Sequence, residues 1–171
     1  MTICKNFAPV ARSDAQVLIL GSMPGIESLQ QQQYYAHPRN AFWDIIEYLF
    51  GIERRQPYKK RLQDLQHHKI ALWDVVQQCQ RSGSLDANIK PDTIIVSDFC
   101  ALLRHYPDIR HVFFNGQKAA ALFKKHVLPG LPEEFRPLEY TTLPSTSPAH
   151  AALTFMDKLA HWEKIQLTVG A

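Results

Sequence analysis

Cysteine is scarce in this chain: Cys4, Cys79 and Cys100 are the only three in 171 residues. An odd, widely spaced set excludes a disulfide-stapled scaffold. Three thiols also fall short of a four-cysteine zinc or iron–sulfur site. No apolar run is long enough to cross a bilayer, and the opening MTICKNFAP lacks the apolar stretch of a secretory leader. The expectation is a reducing, cytoplasmic setting with no membrane partner.

Several chemical signatures are missing as well. GSMPG at 21–25 is not the GxGxxG of a dinucleotide fold, and neither GxxxxGK[ST] nor GxSxG occurs. His67 and His68 are adjacent, not four apart as in HExxH, and with Asp64 nearby they form no spacing that demands zinc. Asp44 and Glu47 share one side of a helix, but nothing marks a paired-carboxylate acid–base site. These absences predict no metal and no cofactor. They point to chemistry carried by amides, hydroxyls and backbone groups.

What is present fits one domain over residues 1–171. Hydrophobic residues make up 46% and charged residues 20%, enough for a sizeable core. The net charge of +3 is compatible with a polyanionic partner. Short aliphatic runs alternate with helical patterns. Ala15 to Leu20 reads as a first strand, Thr93 to Val96 as a second, Arg110 to Phe114 as a third and Leu138 to Leu143 as a fourth. Ile70 to Val76 is either a strand or an irregular core segment. Helices are expected over Asn40–Phe50, Pro57–His68, Asp98–Tyr106 and Lys118–Val127, and from about Ala149 to Ile165. Arg81 to Asn88 and the proline-rich 129–137 read as connections. The alternation predicts an α/β fold, a three-layer α/β/α sandwich around a mostly parallel four-stranded sheet.

In such folds ligands bind beyond the carboxyl ends of the strands. Three unusual segments fall there: GSMPG after the first strand, Asn115-Gly116 after the third and LPSTSP (143–148) after the fourth. The block YYAHPRNAFW (34–43) lies close behind the first. Each segment alone is an ordinary turn; together they predict one cleft.

The set resembles the uracil-DNA glycosylase superfamily. GSMPG is similar to its first motif, PSTSP to its second, and FFNG to a hydrophobic strand ending in a base-reading asparagine. AHPRNAFW is similar to the matching segment of mismatch-specific uracil/thymine glycosylases. The whole pattern is most similar to the deoxyinosine, or hypoxanthine-DNA, branch. Two positions depart from most of the superfamily. Met23 stands where Asp or Asn is usual, and Leu143 where His or Asn opens the second motif. The deoxyinosine branch resembles this chain in that lack, and its asparagine in the RNxFW segment corresponds to Asn40.

The resemblance implies a monomeric DNA glycosylase acting on double- or single-stranded DNA with a deaminated base. It also implies a bacterial or archaeal cell interior. Asn40 would be the catalytic residue, orienting water toward C1′. It fits equally the N-cap of the helix that follows. Tyr35 would stack on the flipped base, and Asn115 would meet the base edge unless it only turns with Gly116. Met23, Gly21 and Ser22 would line the base pocket. Gly25, Ser28, Arg39, Ser145, Thr146, Ser147 and His150 would contact DNA, the hydroxyls of 145–147 from near the start of the last helix. A catalytically silent relative that binds damaged or mismatched DNA is the alternative, supported by Met23 and Leu143.

Overall fold

The computed structural model describes residues 2–170. Its strands are β1 (Thr2–Lys5), β2 (Val17–Gly21), β3 (Ile70–Asp74), β4 (Val76–Arg81), β5 (Ile95–Val96), β6 (His111–Asn115) and β7 (Glu139–Leu143). Its helices are α1 (Ile26–Gln31), α2 (Phe42–Phe50), α3 (Tyr58–His67), α4 (Phe99–His105), α5 (Gln117–His126) and α6 (Phe155–Val169). β3, β2, β6 and β7 lie side by side in that order, all parallel.

Side-chain alternation divides the core between the two faces of this sheet. Val17, Ile19, Ile70, Leu72 and Phe113 turn toward α2, α3 and α6, against Phe42, Ile46, Leu65 and Trp162. Leu18, Leu20, Ala71, Val112 and Phe114 turn toward α4 and α5, against Leu102, Leu122 and Phe123. With both faces covered, β2 and β3 are buried along their full length, as their unbroken apolar sequences require. The result is an α/β sandwich with a parallel central sheet.

Three expectations change in the structure. The fourth strand of the main sheet is Ile70–Asp74, not Thr93–Val96; only Ile95–Val96 is extended, and it pairs with β4 in a separate sheet of order β1-β4-β5. A two-residue segment with a half-polar neighbour has too little apolar surface to enter the core sheet. The last helix begins at Phe155, not near Ala149. Thr154 and Asp157 form a reciprocal capping box there. Ser145, Thr146 and Ser147 therefore sit in a loop eight or more residues before the helix, not at its N-terminus. β1, β4 and α1 are further elements the patterning did not signal.

Candidate active site

The site begins as a row of strand ends. Gly21 is the register partner of Asp74 at the end of the β2–β3 ladder, and Asn115 is the partner of Leu143 at the end of β6–β7. Leu20 pairs with Phe114, so one step further sets Gly21 beside Asn115. With no side chain at Gly21, the row has a gap between the Asp74 carboxyl and the Asn115 amide. A Cβ at Gly21 would overlap Asp74 Oδ1 and stand 3.2 Å from the Tyr35 hydroxyl. Here the glycine is needed for close approach.

A cavity of about 610 Å³ opens over this gap, within the range that binds small molecules, about 300–1,000 Å³. Gly21, Tyr35, Asp74 and Asn115 line it, with the 145–150 loop on one side and the 22–28 loop on the other. The single cleft expected from three loops is thus present.

Asp74 is the residue that sequence reasoning missed. It is 3% exposed, and its Oδ2 is buried with no hydrogen-bond partner. Burial, reinforced by the charge of Asp86 and opposed by Arg81, pushes its carboxyl up to about 7. Asp86 also lines the cavity, and burial raises it while a hydrogen bond from Ser22 pulls it back. Ser22 Oγ donates to Asp86 Oδ2 at 2.7 Å. Asp74 and Asp86 thus both line the cavity, neither signalled by a motif in the sequence. Arg81 is itself buried; its Nε donates to the Gly83 carbonyl and its Nη2 to the Pro24 carbonyl, tying the two loops together, while its Nη1 is left without a partner. Only the WD at the end of an apolar run signals Asp74 in the sequence; its burial comes from chain segments far away.

Tyr35 enters the site in a left-handed backbone, φ +56°, an uncommon conformation for a bulky residue. The turn is held by Ser28 Oγ, which accepts the Ala36 N–H, and by Tyr58, whose hydroxyl accepts the Tyr34 N–H. The Tyr35 ring stacks on Phe42 at 4.0 Å and borders the cavity. Its hydroxyl is buried without a partner, and burial raises its pKa.

Asn40 stands one residue before the N-cap of α2, which is Ala41, so the expected N-cap position is corrected. Its Oδ1 accepts the Phe42 N–H at 2.9 Å, and it also lines the cavity. Arg54 holds the adjacent backbone through the carbonyls of Pro38 and Asn40, and pairs with Asp44. Asn115 spends its amide on Thr146: its Oδ1 accepts the Thr146 N–H and its Nδ2 donates to Thr146 Oγ1, both at 2.9 Å. The Thr146 carbonyl accepts the Ala41 N–H. Thr146, buried with its polar groups taken up, anchors the loop. Ser145 and Ser147 remain partly exposed around the cavity. Lys158 and Trp162 of α6 support the same loop by donating to the carbonyls of Ser147 and Pro144.

Met23 is buried with the apolar core yet borders the cavity, as do Gly25 and Ser28. Arg39 is exposed and His150 half-buried, and both line the cavity. Among the described residues no cluster of three or more His, Cys, Asp or Glu side chains is placed to hold a metal.

Comparison with known proteins gives a consistent set of matches. The family model of the uracil DNA glycosylase superfamily matches residues 8–166. A hypoxanthine DNA glycosylase of Methanosarcina acetivorans is 34% identical over 170 residues, 95% of this chain and 98% of that protein. A hypoxanthine DNA glycosylase of Methanosarcina barkeri is 38% identical over 116 residues, 67% of this chain and 72% of that protein. The solution structure of a candidate uracil DNA glycosylase from Methanosarcina acetivorans superposes with a TM-score of 0.81 at 33% identity, over 99% of this chain and all of that one.

Proposed function

The chain belongs to the uracil DNA glycosylase superfamily, in its hypoxanthine-DNA glycosylase branch, and we propose that it excises hypoxanthine from DNA. Uracil is the second base proposed. The reaction is hydrolysis of the N-glycosidic bond of deoxyinosine, leaving an abasic site. The observation that carries this reading is the concave site at the strand ends, which joins Tyr35, Asn40 and Asp74 in one cavity.

The reacting bond is out of reach inside a stacked duplex, so the nucleotide must be flipped into this cavity. Tyr35 receives the base, and Phe42, stacked on it, fixes the ring plane. A carbonyl oxygen has two lone pairs. The Phe42 N–H occupies one on Asn40 and fixes its direction; the other orients water at C1′ and faces the cationic sugar of the transition state. Such preorganised dipoles act without reorganisation when charge develops. Exposed Arg39, together with Ser145, Ser147 and His150, meets the phosphates.

Purified protein incubated with end-labelled duplexes carrying one hypoxanthine, uracil, xanthine or mismatched thymine tests this, with alkali to cut abasic sites. Cleavage at hypoxanthine is expected. Asn40→Ala should lower the rate by about 10²–10³, as loss of one oriented dipole does elsewhere. The burial of Met23 and Leu143 where polar groups are usual favours a second reading, a silent DNA-binding relative. Salt-sensitive duplex binding without cleavage of any substrate would select it.

A further inference from the structure

We propose that Asp74 is the general acid of this site, delivering its proton to N7 of hypoxanthine as the base departs. The inference rests on the proposed glycosylase reading and assigns a group that reading leaves unused. Its footing is geometric. Asp74 lines the cavity, and its Oδ1 takes the place a Cβ would fill at Gly21, the one position of the row that has no side chain. Oδ2 has no protein partner, and no ion pair neutralises it among the described residues. A buried, unpaired carboxyl is held in its protonated form, because an isolated charge there is costly. Oδ2 is closed off from the cavity, so the transferable proton is carried on Oδ1, the oxygen beside the Gly21 gap. The ring nitrogen and carbonyl of a purine supply an acceptor for it.

The surroundings keep the acid near neutral titration. Asp86, from the turn after β4, raises it, and Arg81 of β4 lowers it. Tyr34 and Tyr35 face it from the segment after α1, and Tyr58 from α3; all three have raised pKa values and stay neutral. With the carboxyl pushed up to about 7, it is both protonated often enough and acidic enough to transfer a proton at neutral pH.

The step balances without a cofactor. The C1′–N9 bond breaks and its electron pair passes to the purine. The Asp74 proton passes to N7, so hypoxanthine leaves as a neutral tautomer. Water oxygen bonds to C1′ and gives its proton to solvent, and the Asp74 carboxylate regains one from solvent. Uracil has no N7, so its departure gains less from this acid.

Single-turnover cleavage of hypoxanthine and uracil duplexes between pH 5.5 and 9 tests the assignment, using wild type, Asp74→Asn and Asp86→Asn. Wild-type hypoxanthine cleavage should fall tenfold per pH unit above about 7. D74N keeps the shape but has no proton to give. It should be slower on hypoxanthine by about 10²–10⁴, lose the fall, and be less impaired on uracil. D86N removes the charge that raises Asp74, so the break should move to lower pH. Thermal melting and binding to the hypoxanthine duplex establish that the variants are folded. D74N within threefold of wild type with the same fall, or a break unmoved in D86N, would overturn the role of Asp74 and leave the glycosylase reading standing. No wild-type cleavage of hypoxanthine at any pH would overturn both.

Discussion

A carboxyl held buried and without a protein partner on Oδ2, as Asp74 is, costs the fold stability once it ionises. Its unfolded pKa is about 3.9, against about 7 in the folded chain. Between those values the native state binds more protons than the unfolded one. Stability is therefore greatest below the unfolded value and falls as pH rises toward 7, then levels. At roughly 1.4 kcal/mol per pKa unit, the loss is of the order of a few kcal/mol. Asp74→Asn removes the titration while keeping the volume. The variant should melt above wild type at pH 8, with the gap shrinking at pH 5. Comparing the two proteins at each pH cancels the other titrating groups. An equal gap at both values would show that Asp74 is not its source. The same residue is where sequence reading stopped short: IALWDVV announces a buried segment, but the charge of Asp86 that adds to the effect of burial on the carboxyl, and the Tyr35 hydroxyl beside the same Gly21 gap, come from elsewhere in the chain.

Among the elements, the loop after β7 depends on one side chain. Asn115 satisfies both the N–H and the hydroxyl of buried Thr146, while Gly116, at φ +99°, lets α5 start directly behind it. A Cβ at Gly116 would stand 3.0 Å from Ser145 Cβ, so the two loops pack backbone to side chain. Asn115→Ala strands two buried polar groups, at about 1–3 kcal/mol for each group left unsatisfied. Asn115→Asp keeps an acceptor for the Thr146 N–H and a second oxygen for its hydroxyl. Chemical denaturation should rank wild type above N115D and N115D above N115A. Equal losses in both variants would deny the loop-anchoring role. Elements of this kind were legible to different depths. α2 shows in the spacing of Phe42, Ile45, Ile46 and Leu49 and in the stop at Gly51, because helix and core agree there. α6 announces its start through Thr154 and Asp157, three residues apart, while Ala149 to Ala152 only imitates a helix by composition. Thr93–Val96 is rich in β-formers yet too short to win a place in the sheet, and Ile70–Asp74 takes it through burial on both faces.

For the whole molecule, the meeting of the 21–25, 115–116 and 143–148 segments follows from the parallel sheet alone, since every strand of such a sheet delivers its outgoing loop to the same edge. That edge is also where charge has consequences. The net charge is only +3, so attraction for DNA depends on where the cations stand. Several basic side chains of the 54–61 stretch are committed within the protein: Arg54 holds Asp44, Lys60 pairs with Asp64, and Arg61 lies over Trp43. Arg39 is exposed beside the cavity and has no such ion pair among the described residues. Each phosphate neutralised contributes about −0.9 to the slope of log affinity against log salt. Each such contact lowers duplex affinity about 3.5-fold between 50 and 200 mM salt. Arg39→Ala should make that slope shallower by about 1 and weaken hypoxanthine-containing and undamaged duplexes alike. Fluorescence anisotropy across that salt range reads both quantities. An unchanged slope in R39A would remove Arg39 from the DNA-facing surface. A loss confined to the hypoxanthine duplex would move it from the phosphates to the base.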